Sequence, residues 1–285
     1  MKNQLKTIFL LGVLSAVLIA FGGALGPSYL YGFTALALIM NLGAYFFSDR
    51  LVLRMSGAQE ISPERAPTLH CLVEELARNA HIPKPRVYII AEEQPNAFAT
   101  GRNPQHGVVA VTEGILRLLS ERELRGVLAH EIAHIKNRDI LVATIAAAIA
   151  TAVGYLANAL SFAALFGGGQ RNDDSEEGSG ASNLLLALVA PFLAMLVQMG
   201  ISRAREYMAD ETGARISGDP AALASALAKL ARRAEEVPMH AAQPATASLF
   251  IVNPLTGGSS LLNWFSTHPP MGERIRRLRE LCNPS

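Results

Sequence analysis

Three long stretches without any charged residue dominate the pattern of apolar and polar positions along the chain. They cover residues 7–48, 140–170 and 178–202. A helix that crosses a membrane needs about 20 apolar residues, and Gly26-Pro27 divides the first stretch into two segments of roughly that length. The pattern therefore predicts four transmembrane helices, at residues 7–25, 29–47, 141–166 and 183–202.

Two alternatives to membrane spans stay open for these segments. The first segment could be a cleaved signal peptide, although its apolar core exceeds the usual 7–15 residues and another apolar segment follows almost at once. The third and fourth segments could be core helices of a soluble domain, because the third is alanine-rich and Pro191 interrupts the fourth.

Basic residues flank the four segments on one side only. They are Lys2, Lys6, Arg50, Arg54, Lys136, Arg138, Arg203 and Arg205. The connection at residues 171–182 is instead rich in acidic residues, glycine and serine. Because basic flanks remain in the cytoplasm, both termini and the regions around residues 136 and 203 are predicted to be cytoplasmic.

This topology divides the chain into four parts. They are a transmembrane hairpin at 1–48, the first part of a cytoplasmic domain at 49–139, a second transmembrane hairpin with an acidic outer loop at 140–202, and the second part of the domain at 203–285. The predicted fold class is mainly α: a multi-span membrane protein with a cytoplasmic α+β domain.

Between the spans, helical and strand-like patterns alternate. Helices are predicted at residues 64–80, 113–119, 220–236 and 271–281, and strands at residues 86–90 and 106–111. A further segment, Asn96-Ala97-Phe98-Ala99, could be the rim of a hairpin or an edge strand that pairs with an extended substrate peptide.

The strongest chemical signal is the motif His130-Glu131-Ile132-Ala133-His134, in a helix that begins at a Ser120/Glu123 capping box. Residues four apart share one helical face, so His130 and His134 can offer two imidazole nitrogens to one zinc ion. Glu131 lies close enough to act as general base towards a water molecule there. The alternative is a histidine pair that is only a surface or core feature.

A third protein ligand is needed, and Glu206 is the candidate that the topology supplies. The helix that carries His134 is expected to run straight into the third span, with His134 about 9 Å before the start of that span. Glu206 lies about 7.5 Å beyond the end of the fourth span, so Glu206 and His134 are expected at nearly equal height above the membrane. Asp210 shares the face of Glu206 and could hydrogen-bond a ligand histidine. Alternatively, Arg203, Glu206 and Asp210 form a solvated ion-pair face.

Four motifs together resemble the HtpX family of bacterial membrane zinc metalloproteases. They are residues 130–134, 202–210 (Ser-Arg-Ala-Arg-Glu-Tyr-Met-Ala-Asp), 95–101 (Pro-Asn-Ala-Phe-Ala-Thr-Gly) and 266–270 (Ser-Thr-His-Pro-Pro). The resemblance covers nearly the whole chain. It implies a zincin-like domain of the gluzincin type, with one zinc ion held by His130, His134 and Glu206 and with Glu131 as base. It also implies quality control of bacterial inner-membrane proteins under stress.

A donor to the developing oxyanion is also expected. The candidate is His268, with Tyr207 and Arg203 as weaker ones, although His268-Pro269-Pro270 could serve only to start the last helix. The site should open to the cytoplasm, so the expected substrates are peptides or the cytoplasmic loops and tails of membrane proteins in the lipid bilayer.

Two rival functions remain. One is a prenyl-protein-type endopeptidase. The other is a non-enzymatic membrane protein, such as a transporter, with a structural zinc site, although the spans lack the ionisable residues that transport pathways need.

Composition narrows the partners further. The net charge of +1 gives no indication of nucleic-acid binding, and the sequence has no phosphate-binding loop or dinucleotide motif, so no nucleotide is expected. Cys71 and Cys282 are the two cysteines and imply no disulfide framework.

Overall fold

A computed structural model of the chain describes residues 26–147, 203–236, 247–252 and 269–282, together with isolated positions between residues 8 and 23. The helices in these ranges are α1 (Pro27–Met55), α2 (Pro67–Ala80), α3 (Glu113–Leu118), α4 (Glu121–Lys136), α5 (Arg203–Ser217), α6 (Pro220–Glu236) and α7 (Met271–Cys282). The strands are β1 (Gln59–Glu60), β2 (Arg86–Ile90), β3 (Ala97–Thr100) and β4 (Val108–Thr112), and short 3-10 helices lie at Pro104–His106 and Ala247–Leu249. The predicted combination of many helices with a small sheet is thereby confirmed.

Helix α1 is long, apolar and mostly exposed. Gly26, at a φ of 127°, precedes it, and Pro27 occupies its first turn, where a missing N–H costs nothing. Its 29 residues extend beyond the predicted span at 29–47. Within the described residues it is the one helix long and apolar enough to cross a membrane, judged by length and composition. The segments at 148–166 and 183–202, and most of 7–25, lie outside the described residues.

The four strands form one sheet in the order β1-β2-β4-β3. Strands β2 and β4 are parallel, whereas β3 is antiparallel to β4, with Ala97 opposite Val111 and Thr100 opposite Val108. Strand β3 therefore lies at the edge of the sheet, as one of the two interpretations of residues 96–99 requires.

Helix α4 lies at the centre of the soluble core. Its capping box is formed: the Ser120 side chain accepts from the Glu123 N–H, and the Glu123 carboxylate accepts from the Ser120 N–H. Its apolar side chains are fully buried; among them are Val127, Leu128, Ile132 and Ile135. They pack in one cluster with residues of α2, α5, α6 and the sheet. Burial of about 1.5–3 kcal/mol per large side chain fixes α4 against these neighbours.

Two glycines let other helices approach α4 closely. A Cβ atom at Gly213 of α5 would lie 2.9 Å from the backbone of His130, and one at Gly126 of α4 would lie 2.9 Å from the backbone of Leu223 in α6. Helix α5 therefore passes directly alongside the histidine motif.

The expectation that the His134 helix runs straight into the third span is wrong. Helix α4 ends at Lys136, and Arg138 takes a positive φ of 56°, a conformation that side chains other than glycine rarely adopt. A new helical segment begins at Ile140 and is described as far as residue 147. The break folds the chain back so that Asp139 faces α4.

Candidate metal centre

Helices α4 and α5 bring His130, His134 and Glu206 together. Their donor atoms all lie within 4.8 Å of one another. The Nε2 atoms of the two histidines are 3.1 Å apart. The carboxylate oxygens of Glu206 lie 3.7 Å from Nε2 of His130 and 3.6 Å from Nε2 of His134. Glu206 and His134, which the sequence predicted to be neighbours, therefore lie side by side.

A zinc ion fits this triangle of donors. Around a tetrahedral zinc with bonds of about 2.0–2.1 Å, neighbouring donor atoms lie roughly 3.3–3.4 Å apart. The 3.1 Å between the two Nε2 atoms is slightly shorter than this value, and the nearest Glu206 oxygens are slightly farther away, Oε2 at 3.7 Å from His130 and Oε1 at 3.6 Å from His134. Two imidazole nitrogens and one carboxylate also match the chemistry of a catalytic zinc site, which keeps a fourth position open.

Each histidine is held by a carboxylate on its other ring nitrogen. Nδ1 of His130 lies 2.9 Å from Oδ1 of Asp210, and Nδ1 of His134 lies 3.1 Å from both oxygens of Asp139. Such partners fix the tautomer and direct Nε2 towards a metal. Asp210 was predicted for this position, whereas Asp139 was not.

The two ligand histidines differ in their electrostatics. Burial lowers the pKa of His130, which keeps it neutral as a metal ligand must be, although Asp210 opposes this shift. Burial also lowers the pKa of His134, but Asp139 and Glu206 outweigh it and raise that pKa to about 10. The carboxylates that favour a proton on His134 would equally favour a divalent cation beside it.

Arg274 of α7 is, besides Asp139, a second charged residue that sequence reasoning missed. It is fully buried, at 0% exposure. Its Nε and Nη2 atoms donate to the two oxygens of Asp210 at 2.8 and 2.7 Å, and its Nη1 lies 3.7 Å from Glu206. Burial raises the pKa of Asp210, but the charge and hydrogen bonds of Arg274 outweigh burial and lower that pKa to about 2. Arg274 thereby keeps the partner of His130 ionised and fixed in direction.

Glu131 lies on α4 between the two ligand histidines, and it is 2% exposed. Burial raises the pKa of Glu131 to about 7, while His134, Arg274 and the backbone N–H of Ala99, which donates to its carboxylate, act in the opposite direction. A carboxylate buried in this way, next to an edge strand, has the properties of a general base.

Residues 96–99, the predicted substrate-binding segment, lie at the sheet edge but are buried. Ala97, Phe98 and Ala99 lie in the edge strand β3, but all are buried, and Asn96 is fully buried just before it. The Asn96 side chain bonds the backbone of Val252 rather than facing solvent. Asn96 is therefore an internal bridge between two segments of the chain.

The three candidates for the oxyanion donor have different outcomes. His268 lies outside the described residues. Arg203 is exposed, and the Tyr207 ring is covered by the Arg277 guanidinium at 3.9 Å. Neither Arg203 nor Tyr207 makes a described contact with His130, His134 or Glu206.

Two signals in the sequence could have led to the missed residues. Asp139 belongs to the polar run Asn137-Arg138-Asp139 between two apolar segments, where a helix break would be expected. Arg274 lies four residues before Leu278, on the buried face of α7. A charge within an apolar stripe generally has a buried partner.

Comparison with known proteins identifies the family of the chain. The sequence profile described as Peptidase family M48 matches residues 63–282. The chain is similar to a "Protease HtpX homolog" of Syntrophobacter fumaroxidans, with 54% identity over 284 residues, covering 99% of this chain and 100% of that one. It is also similar to the HtpX homolog of Burkholderia thailandensis, with 52% identity over 287 residues, covering 99% and 98% of the two chains.

Among solved structures, the crystal structure of S. mikatae Ste24p resembles the chain. The TM-score is 0.53 and the identity 19%, over 97% of this chain and 65% of that one. This likeness extends to the fold alone.

Proposed function

The chain belongs to peptidase family M48 and, within it, to the HtpX proteases, and from this premise we propose that it is a zinc-dependent endopeptidase of the bacterial inner membrane. It is a protease of the metallopeptidase type. The proposal adds the metal, the residues that act and the substrates.

The observation that carries the proposal is the triangle formed by His130, His134 and Glu206, with Glu131 beside it. Both histidines have their outer nitrogens bonded to carboxylates. This is the arrangement of a site prepared for a metal, because hydrogen bonds to the outer nitrogens orient the ligands before the ion binds. A solvated ion-pair face would not bury Glu206 and Asp210 to 7% and 4% exposure.

A zinc ion held by these residues would lower the pKa of a water molecule to about 7 and polarise the scissile carbonyl. Glu131 accepts the proton of the attacking water and passes it to the leaving amine. The N–H of Ala99 holds the Glu131 carboxylate next to β3, so the base is placed where an extended peptide would run. His268 remains the proposed donor to the oxyanion.

The membrane part of the proposal rests on the apolar pattern and on α1. This helix has 29 residues, a mean hydropathy of 1.5 in its most apolar window, and very little buried surface there. We propose four spans with both termini and the metal site in the cytoplasm. Substrates would then be the cytoplasmic loops or tails of membrane proteins, cleaved in quality control under stress.

The test uses the purified full chain in detergent, with casein as substrate. The parent should cleave casein, stop when a chelator removes the metal and recover with added zinc. Glu131→Gln should lose cleavage by at least about 100-fold, the lower end of general-base contributions. The control is Glu211→Gln, because Glu211 is exposed and, among the residues that the structure describes, its ion-pair partner is Arg215, at 2.8 Å. Stoichiometric zinc without any cleavage by the parent would instead favour a structural metal site.

A further inference from the structure

The edge of β3 is partly filled by the chain itself. The N–H of Ile251 donates to the carbonyl of Ala97 at 3.0 Å. The Asn96 side chain bonds both backbone groups of Val252: Nδ2 donates to its carbonyl at 2.8 Å, and Oδ1 accepts from its N–H at 3.3 Å. Residue 251 thus faces 97 and residue 252 faces 96, which is the order of an antiparallel strand.

Several contacts hold this segment against β3. Phe250, Ile251 and Val252 are 1%, 2% and 4% exposed. The Phe250 ring packs edge-on against Phe98, with centroids 5.1 Å apart. Nη1 of Arg274 donates to the carbonyl of Ile251 at 3.3 Å. These contacts hold residues 250–252 against the outer edge of β3.

The register of β3 shows which of its outward backbone groups are not bonded by residues 250–252. The Asn96 carbonyl accepts from the Thr112 N–H and so faces β4. Backbone groups alternate in direction along an antiparallel strand, so Ala97 and Ala99 point away from β4. The carbonyl of Ala97 is bonded by Ile251, and the backbone groups of Ala99 are the next along β3 that point away from β4. The outward carbonyl of Ala99 is therefore the next pairing site, directly beside the proposed base.

We propose that residues 250–252 are a built-in stop that ends the substrate groove at Ala97. A substrate peptide pairs with β3 at Ala99 and must leave the edge before it reaches Ile251. Ala97 and Ala99 are two residues apart, about 7 Å along a strand. On that side of the reacting bond the groove holds about two substrate residues, whatever the length of the peptide. This inference rests on the proposed function, since it concerns the same site.

The consequence concerns the class of substrate. A groove with a blocked end selects short extended segments that turn away or terminate about two residues beyond the pairing site. Long strands that lie along the whole edge are excluded. Arg274 contributes to this selection because the same guanidinium binds Asp210 of the metal site and Ile251 of the stop.

The test measures kcat/KM for two series of fluorogenic peptides, lengthened one residue at a time at the N-terminal or the C-terminal end. For the parent, kcat/KM should stop rising after about two residues in one of the two directions. Two variants should abolish that limit. Asn96→Asp sets a carboxylate oxygen against the Val252 carbonyl, and Ile251→Pro removes the N–H that bonds Ala97. Each further residue that pairs should then raise kcat/KM about five-fold, as one net backbone hydrogen bond would.

The control is Asn79→Ala. Its amide also bridges distant segments, donating to the Ile216 carbonyl at 3.1 Å, but at the far end of α5. This variant should keep the parental length limit. Zinc content and hydrogen exchange at residues 250–252 show whether each variant has kept its site and released the stop.

Two results would overturn the proposal: a parent without a length limit in either direction, or a limit that persists in both Asn96→Asp and Ile251→Pro. If neither variant folds, the parental series alone decides. Failure of the proposed function looks different, because Glu131→Gln would then cleave as fast as the parent. If Glu131→Gln binds zinc but is inactive and the parent shows no length limit, the proposed stop is refuted and the proposed function stands.

Discussion

Replacing Glu206 by glutamine should weaken zinc binding more than replacing Asp210 or Asp139 by asparagine. Glu206 supplies one of the three ligand groups: its Oε2 lies 3.7 Å from Nε2 of His130, and its Oε1 lies 3.6 Å from Nε2 of His134. Zinc sites in small peptides bind with about 10–16 kcal/mol. One of three protein ligands then contributes roughly 3–5 kcal/mol, so Glu206→Gln should raise the dissociation constant by more than 100-fold.

The two aspartates act through the histidines. Losing a carboxylate that orients a ligand typically costs about 10–100-fold in metal affinity. We expect that range for Asp139→Asn and for Asp210→Asn. Asp210 also neutralises the buried guanidinium of Arg274, and removing one member of a buried ion pair costs about 3–5 kcal/mol. Asp210→Asn should therefore lower the melting temperature of the metal-free protein as well, by more than Asp139→Asn does.

Competition against a zinc-chelating dye gives the three dissociation constants, and Glu211→Gln is the control on the same helix. Melting with excess chelator separates protein stability from metal binding. A parental zinc affinity in Glu206→Gln would refute the geometry and make His268 the leading third ligand. Equal losses in Glu206→Gln and Asp210→Asn would show that the division into ligand and supporting carboxylate is wrong.

Three further predictions concern chemistry, stability and topology. Glu131→Gln should contain as much zinc as the parent while its turnover is lost; a fall in metal content would make Glu131 a ligand. Burial raises the pKa of Glu123, but hydrogen bonds from Lys229, Ser225 and Ser120 outweigh it and bring the pKa from 4.5 to about 2. The stability contributed by Glu123 is thus present above pH 4.5 and lost towards pH 2. Glu123→Gln should therefore have a free energy of unfolding about 2 kcal/mol lower than the parent at pH 7. The difference should shrink below pH 4.5, and a difference that does not change with pH would contradict the assignment. Reporter fusions after residue 27 and within 171–182 should report the outside, and a cytoplasmic signal at residue 175 would contradict four spans.

Local chemistry made much of the fold predictable. The Thr112 side chain caps α3 by accepting from Ile115, and Asp219 caps α6 by accepting from Ala222. Each cap involves residues within one turn, so the sequence alone contains the whole interaction. The pairing of His130 with His134 was predictable for the same reason, since four residues of helix fix their separation.

The supporting carboxylates differ in this respect. Asp210 was predictable because it lies one turn from Glu206 on one helix. Asp139 contacts His134 only because Arg138 adopts a left-handed conformation. No glycine or proline marks that position, so the polar run Asn137-Arg138-Asp139 was the sole local sign of a helix break. Such a conformation persists only where the surrounding structure over-determines it, and a local sequence pattern does not contain that surrounding structure.

The position of Glu206 follows from a contact that carries no charge. Glu206 and Gly213 are seven residues apart, about two helical turns, and therefore lie on nearly the same face of α5. Gly213 rests on the backbone of His130 so closely that a Cβ atom would lie 2.9 Å away. A helix axis held this near allows a short glutamate side chain to reach both histidines. The missing side chain at Gly213 is thus as much a requirement of the metal site as the carboxylate it brings into place.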